Sequence, residues 1–581
     1  MAAIKIMGFR GAQPRVLPRM LPDAGAQAAI NCRLDDGGLT PIHRPMLKEL
    51  ISSADHLTIY RHVGSWLSWA TVVDAAPGPV DDERLYYTGD GAPKMLKAGT
   101  VYDLAVPRPT VALTATLGGA GSGDTVTRAY VYTWVTDFGE ESEPNPASNL
   151  IDWKPGNTVT LSGFASAPAG RAITKQRIYR SQTGQSGTYL YFIAERSATN
   201  ANFSDTVAVD AFAEPLPSAD WNAPPDNLSG LTVMPNGMMA AFSGRKVYFC
   251  EPWHPHAWPE KYVLTVESDI VALGAIGTSL IILTTAKPYF AMGSTPDTMQ
   301  MTKLEVNWPC LNKRAVVDLG FAIAFPTWDG LAIALADGSV QLVTNLLFNR
   351  DTWQRQSPAT MVAAQLSGRY VGFYDTLTSD DEVLAGAMLI EAGQAPFLIN
   401  SSAMASATYY DEEEGALYFL RKGTDQIWRF DDPEAARDYQ YWRSKAFVLP
   451  QPDNFGALLV DSDTSLTPEE AAAAADALEL LIAENEALIA AGSILGDLNA
   501  APLNRVAFAG DILHPLVLSD EVLTVGVYAD GVRVAEITTS GRPERLPGGF
   551  KARTWEIDVY GDVSVSNIVM GRTMADIVAA G

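Results

Sequence analysis

Met238-Met-Ala-Ala-Phe242, then Ser243-Gly244, then Lys246-Val-Tyr-Phe249, decides the fold: an apolar strand, a tight glycine turn and a second apolar strand. The same unit returns along Leu231 to Phe430. Ile270 to Ile276 leads through Gly277-Thr278 into Leu280-Ile-Ile-Leu283, and Leu319 to Phe325 leads through Asp329-Gly330 into Leu331-Ala-Ile-Ala-Leu335. Met361 to Leu366 leads through Ser367-Gly368 into Tyr370 to Tyr374, and Ala407-Thr-Tyr-Tyr410 leads through Glu414-Gly415 into Ala416-Leu-Tyr-Phe-Leu420. The turns begin at 243, 277, 329, 367 and 414, so they lie 34, 52, 38 and 47 residues apart. Recurrence on that scale, with several short strands per unit, is the signature of β-propeller blades.

Upstream, Leu57-Thr-Ile-Tyr60, Gly64-Ser65 and Trp66 to Val73, with Arg84 to Thr88 and Lys94 to Lys97, repeat the pattern and predict a first blade over 51–105. About six blades result, the rest lying in 219–445. Residues 106–218 interrupt the series. Ala129-Tyr-Val-Tyr-Thr-Trp-Val135 alternates strictly, and Asn157 to Leu161, Gln176 to Arg180 and Tyr189 to Ile193 follow, the last two joined by a polar loop from Ser181 to Thr188. Short strands divided by Gly/Pro/Ser turns read as an inserted sandwich of the immunoglobulin or fibronectin III pattern. Prolines at 107, 109, 215, 217, 224 and 225 bracket it.

Residues 1–50 read as an extended arm, because Pro14, Pro18 and Pro22 recur every four positions and proline disrupts helices. Residues 446–581 read as a C-terminal β domain with Asp530-Gly531 as a hairpin turn. A helix over 467–491 is inserted in it. Thr467-Pro-Glu-Glu470 supplies cap, N1 proline and capping box, and Gly492 the stop. Ala471, Leu478 and Asn485, with Ala474, Leu481 and Leu488, fall at heptad spacing, a seam that suits either its own domain or a neighbouring subunit. The expected fold class is therefore mainly β: a propeller, an inserted sandwich, and a C-terminal β domain with a helical insertion.

With 581 residues, 47% hydrophobic and 19% charged, the chain can bury several cores. No apolar run is long enough for a transmembrane helix, and Met1 to Met7 lacks the apolar stretch of a secretory signal. Cys32, Cys250 and Cys310 make no disulfide framework, which fits synthesis in a reducing cytoplasm. The net charge of −25 argues against a nucleic-acid grip but suits a surface past which DNA slides. The charge is uneven: residues 1–50 carry seven Lys/Arg against four acids, whereas 461–500 carry nine acids and no Lys or Arg.

No P-loop, GxSxG or HExxH pattern occurs, so no catalytic, cofactor-binding or metal-binding residue is assigned and no cofactor is expected. Glu251, His254 and His256 lie close in sequence, but two imidazoles without a third and fourth ligand make a weak metal site; a stiff loop of Pro252, Trp253, Pro255, Trp258 and Pro259 is the simpler account. Asp411 to Glu414 and Asp380 to Glu382 are the acidic runs a glycosidase could use, and both read as solvated loops. Tyr130, Tyr132 and Trp134 could stack on sugars or bases, but their alternation fits a core face.

Several stretches together resemble the tail nozzle proteins of short-tailed bacteriophages, also called tail tubular protein B. They are Val247-Tyr-Phe-Cys-Glu-Pro-Trp-His-Pro-His-Ala-Trp-Pro-Glu-Lys-Tyr262, the segment Tyr132 to Pro144 with Arg177-Ile-Tyr-Arg180, the arm Pro14 to Pro22 with Ala28 to Leu34 and Gly38 to Pro41, and Leu546 to Ile557. The resemblance implies a non-enzymatic virion protein. It implies a homohexameric ring below the portal and its adaptor, extending the conduit for genome ejection, with tail fibres or a tip attached and DNA passing without specific binding. The acidic charge then suits the lumen, and the basic arm suits docking on an acidic neighbour. A receptor-binding or tail-fibre-type protein and a carbohydrate-active propeller enzyme are the alternatives.

Overall fold

The computed structural model describes residues 3–463 and 521–580 except 82, 185–186, 209–210, 212, 378–382 and 393–395, together with 480, 482–484, 486 and 487. The chain is mainly β, and its centre is a propeller. Five blades are antiparallel four-stranded units, each of consecutive strands: Asp74–Pro77 to Thr100–Asp103, Ser229–Met234 to Leu264–Thr265, Ile270–Ile276 to Gln300–Lys303, Val317–Asp318 to Val340–Leu342, and Val362–Leu366 to Phe397–Ser401. A further blade takes three strands from Ala405–Asp411 to Gln426–Arg429 and its fourth from far upstream, Met46–Leu50, with Arg429 opposite Met46. Thr58–His62 and Ser65–Trp69 form a two-stranded hairpin between this closing blade and the blade beginning at Asp74. The single blade expected over 51–105 is therefore corrected to a separate hairpin followed by a complete blade.

Blades stack face to face, so both faces of a strand are buried and the strands read as apolar runs. All six residues of Ser279–Thr284 are buried. Successive blades are joined by their own cores: Tyr86 with Met239, Phe249 with Leu280, Ile281 with Phe325, Ile333 with Tyr370, Phe373 with Phe419, and Ile59 with Tyr418. The hairpin meets the next blade through Trp69 and Tyr87, ring centroids 5.3 Å apart.

The true period differs from the turn spacing expected above. The innermost strands of five successive blades end at 234, 276, 318, 366 and 411, which is 42, 42, 48 and 45 residues apart. The turns at 277, 367 and 414 join first to second strands, whereas those at 243 and 329 join second to third. A glycine turn marks a hairpin without saying which one.

The insertion is a sandwich. One sheet holds Thr114–Gly118, Thr158–Ser162 and Phe203–Asp205; another holds Tyr130–Thr136, Ile173–Gly184 and Gly187–Ser197; a short pair, Val126–Arg128 with Ile151–Trp153, completes it. Its core joins Tyr130, Tyr132 and Trp134 to Val159, Leu161 and Ile178. Of the polar stretch expected as a loop from 181 to 188, Ser181 to Gly184 and Gly187 to Thr188 are paired strand, with Thr183 opposite Thr188; residues 185 and 186 lie outside the described residues.

The N-terminal segment, expected over 1–50 as an extended arm, pairs in part with the C-terminal β domain of its own chain. Ala3–Met7 pairs along its length with Ser564–Gly571. Ala26–Ile30 lies between Phe397–Ser401 and Gln440–Ser444, so one ten-stranded sheet runs from a blade into the C-terminal β domain. Ile4, Ile6 and Phe9 are buried with Trp442, Val525, Val559 and Ile568. Of the helix expected at 467–491, Leu480, Ile482, Ala483, Glu484, Glu486 and Ala487 are helical and exposed. Its Thr467 cap, its seam including Asn485, and Gly492 lie outside the described residues.

Candidate functional site

Among the described residues, two of the places that concentrate charge bear on function. The first is the joint between propeller and sandwich. Glu140 is buried between two buried arginines: Arg84 Nη1 donates to Oε1 at 3.2 Å, and Arg171 Nη2 to Oε2 at 2.5 Å. Arg84 belongs to a blade strand and Arg171 to the sandwich, so one carboxylate ties the two units. Next to it Glu141 accepts from Thr133 Oγ1 and Tyr179 OH, both at 2.7 Å, and from Arg177 Nη1 at 3.1 Å. The stiff loop 250–262 closes the joint from the following blade. His256 Nε2 lies 3.1 Å from the Glu141 carbonyl, and Trp258 N–H donates to the Asn222 carbonyl at 2.8 Å. Burial lowers the His256 pKa to about 4, so the ring is neutral near pH 7 and its Nε2–H donates.

The histidines weighed as ligands thus have structural roles. His254 Nδ1 lies 2.8 Å from the Pro252 carbonyl, Trp221 packs on the ring at 4.3 Å, and Glu251 accepts from Tyr262 OH at 3.1 Å. Among the described residues no cluster of three or more His, Cys, Asp or Glu is placed to hold a metal. All three cysteines are buried thiols, each pushed up to about 12 chiefly by burial.

Asp411, the buried member of its acidic run, accepts the backbone N–H groups of Glu413 and Glu414 at 3.1 Å each and pairs with Arg61 at 3.3 Å. Its carboxylate is spent on shaping a turn. Asp380 to Glu382 lie outside the described residues. Tyr130, Tyr132 and Trp134 are fully buried, so they offer no stacking surface. Among the described residues no helix is long and apolar enough to cross a membrane.

The second place is a cleft of about 320 Å³ between the last two blades, roofed by the segment that begins at Cys32. No sequence motif marks it, because its charged residues come from three distant stretches. Arg33, Arg369 and Arg429 line it with Asp35 and Asp431, over a floor that includes Leu366, Leu389 and Phe430. Asp431 is committed: it pairs with Arg33 and accepts the His43 backbone N–H at 2.8 Å. Arg369 pairs with Asp35 through Nη2 and with Glu391 through Nε at 2.8 Å, which leaves its Nη1 without a partner among the described residues. The Arg429 guanidinium makes neither a hydrogen bond nor an ion pair with a described residue. Ser367, in the left-handed region at φ 52°, sits at the rim.

No protein-family model matches the chain, and no curated protein matches it. Among solved structures it is similar to BamB from Moraxella catarrhalis, with 12% identity, 67% of this chain and 99% of that one covered, and a TM-score of 0.28. It is similar also to the gluconolactonase XC5397 from Xanthomonas campestris, with 11% identity, 71% and 99% covered, and a TM-score of 0.21. The BBS1N chain of a complex with ARL6DN matches at 7% identity, 48% and 88% covered, with a TM-score of 0.24. Likenesses this distant carry no argument about activity, and the propeller rests on its own sheet order.

Proposed function

We propose that the chain is a structural virion protein that forms the tail nozzle ring of a short-tailed bacteriophage. In this reading it extends the genome-ejection conduit below the portal and adaptor. Its partners are further copies of itself in a homohexamer, the head-to-tail connector, and tail fibres or a tail tip; its location is the virion tail.

The observation that carries the reading is that two of the stretches resembling this family are spent on rigid joints. The 247–262 stretch clamps the sandwich onto the propeller, and Ala28 to Ile30 pairs with Tyr441 to Arg443 of the C-terminal β domain. Rigidity of that kind suits a wall block held beside its copies. The propeller's own centre is crossed by Lys313 and Arg314, so a DNA passage in this reading lies between subunits and not through the propeller. The net charge of −25 supports a lumen that repels phosphates. Electron microscopy of the purified full chain tests the proposal. A six-fold ring with an axial channel is expected; a monomer at all concentrations, alone and with the adaptor, overturns it.

A further inference from the structure

We propose that the cleft between the last two blades is a binding site for a small organic anion, a carboxylate or phosphate carried on an apolar body. The inference is independent of the nozzle reading. Three guanidinium groups converge on one concave space in a protein whose net charge is −25. Two carboxylates line the space, but the Asp431 side chain is only 6% exposed and already holds Arg33 and His43, while Asp35 holds Arg369. With Glu391, which also holds Arg369, three carboxylates face the three guanidinium groups, so the site rests on uncommitted donors and not on an excess of charge. Arg429 and the free Nη1 of Arg369 are donors without acceptors among the described residues. Guanidinium forks match carboxylate and phosphate oxygens in geometry and charge.

The floor sets the second requirement. Leu366, Leu389 and Phe430 offer apolar contact beside the arginines. A volume of about 320 Å³ stands at the small end of ligand pockets. An anion with a ring or short aliphatic body uses both features, whereas a bare ion uses only the first. The Cys32 thiol at the edge stays protonated, since burial pushes it up to about 12, so binding here is non-covalent.

The test is titration calorimetry of the full chain, at constant ionic strength, with phenyl phosphate, benzoate, inorganic phosphate and benzyl alcohol. Saturable one-site binding is expected for the first two, binding at least about tenfold weaker for inorganic phosphate, and none for benzyl alcohol. Ser367→Asp places a carboxylate at the rim in a left-handed turn position that Asp tolerates well, so the variant folds and should lose at least about tenfold in affinity. Arg429→Gln should do the same and Arg429→Lys should retain part. Benzyl alcohol binding as well as benzoate overturns the charge argument, and inorganic phosphate matching phenyl phosphate overturns the apolar floor. Wild-type affinity in Ser367→Asp, or no saturable binding by either organic anion, overturns the site.

Discussion

Lys313 and Asp74 meet across the propeller: the ammonium of one lies on the carboxylate of the other, although 239 positions separate them in the chain. Asp74 opens the innermost strand of one blade, and Lys313 starts the short 3-10 turn just before the innermost strand of a blade three places on. Asp74 also accepts the Gly230 N–H at 2.7 Å, and the neighbouring Arg314 donates to the Leu57 carbonyl at 3.2 Å and to that of Ser406. One turn thus fastens the ring at several blades.

Removing the acceptor should cost more than removing the cation. Asp74→Ala strands the Gly230 N–H and Lys313 together and should destabilise the propeller by about 2–3 kcal/mol. Lys313→Ala leaves the carboxylate half-solvated with its other donors and should cost about 1 kcal/mol. Urea unfolding followed by tryptophan fluorescence reads both, and equal effects would show that the pair, rather than the Asp74 hub, fastens the ring.

Glu140 holds two buried arginines, so Glu140→Ala leaves Arg171 without a carboxylate and Arg84 with only Asp81, 3.6 Å away. The expected cost is about 3–5 kcal/mol, read as early release of the sandwich in limited proteolysis. Glu140→Gln should fall between, since it keeps one acceptor.

His256 makes the same joint acid-sensitive. Its folded pKa, lowered by burial to about 4 from 6.5, means that the unfolded state binds the extra proton first. Stability contributed by the neutral ring is complete above about pH 6.5 and is lost as pH falls toward 4, by at most about 3 kcal/mol. His256→Gln can still donate to the Glu141 carbonyl and should flatten this part of the profile. Hydrogen exchange at the joint between pH 7 and 4 is the measurement, and an unchanged slope in the variant would assign the acid response elsewhere.

Val63 stores strain at the surface. It occupies the first central position of a two-residue hairpin at φ 47°, next to Gly64 at 75°, and is 73% exposed. A β-branched residue is a poor choice there and Asn a good one. Val63→Asn should stabilise by about 1 kcal/mol, visible as a rise in Tm. A fall would show that the exposed valine makes a contact worth more than its strain.

What could be read in advance follows from these examples. Ser367-Gly368 and Asp530-Gly531 were legible as hairpins because residue pairs at positive φ need such types, and both adopt it. Long apolar runs such as Ser279–Thr284 were legible as blade strands because blades bury both faces. The closing strand was not, because Met46-Leu-Lys-Glu-Leu50 is largely exposed and gains its place only by pairing with Gln426–Arg429. The burial of Glu140 and Glu141 was not legible, since nothing local reveals that Arg84, Arg171 and Arg177 arrive from other segments to pair with them. The arginine cleft stayed invisible for the same reason: its charges meet only after the ring closes.

The N-terminal segment gives the sharpest separation between a docking arm and a structural strand. A docking arm can be removed without harm to the fold. Residues 1–22 instead contribute Ile4, Ile6, Phe9 and Leu21, all buried, and a strand, Ala3–Met7, paired to Asn567 through Gly571. Burial of each such side chain is worth about 1.5–3 kcal/mol, so deletion should leave the C-terminal domain unfolded and the chain insoluble. Ile6→Ala alone should cost about 2–5 kcal/mol and is mild enough to measure by thermal unfolding. A soluble deletion variant with an unchanged Tm would restore the arm as a free element, and with it the idea that its positive charge serves a neighbour.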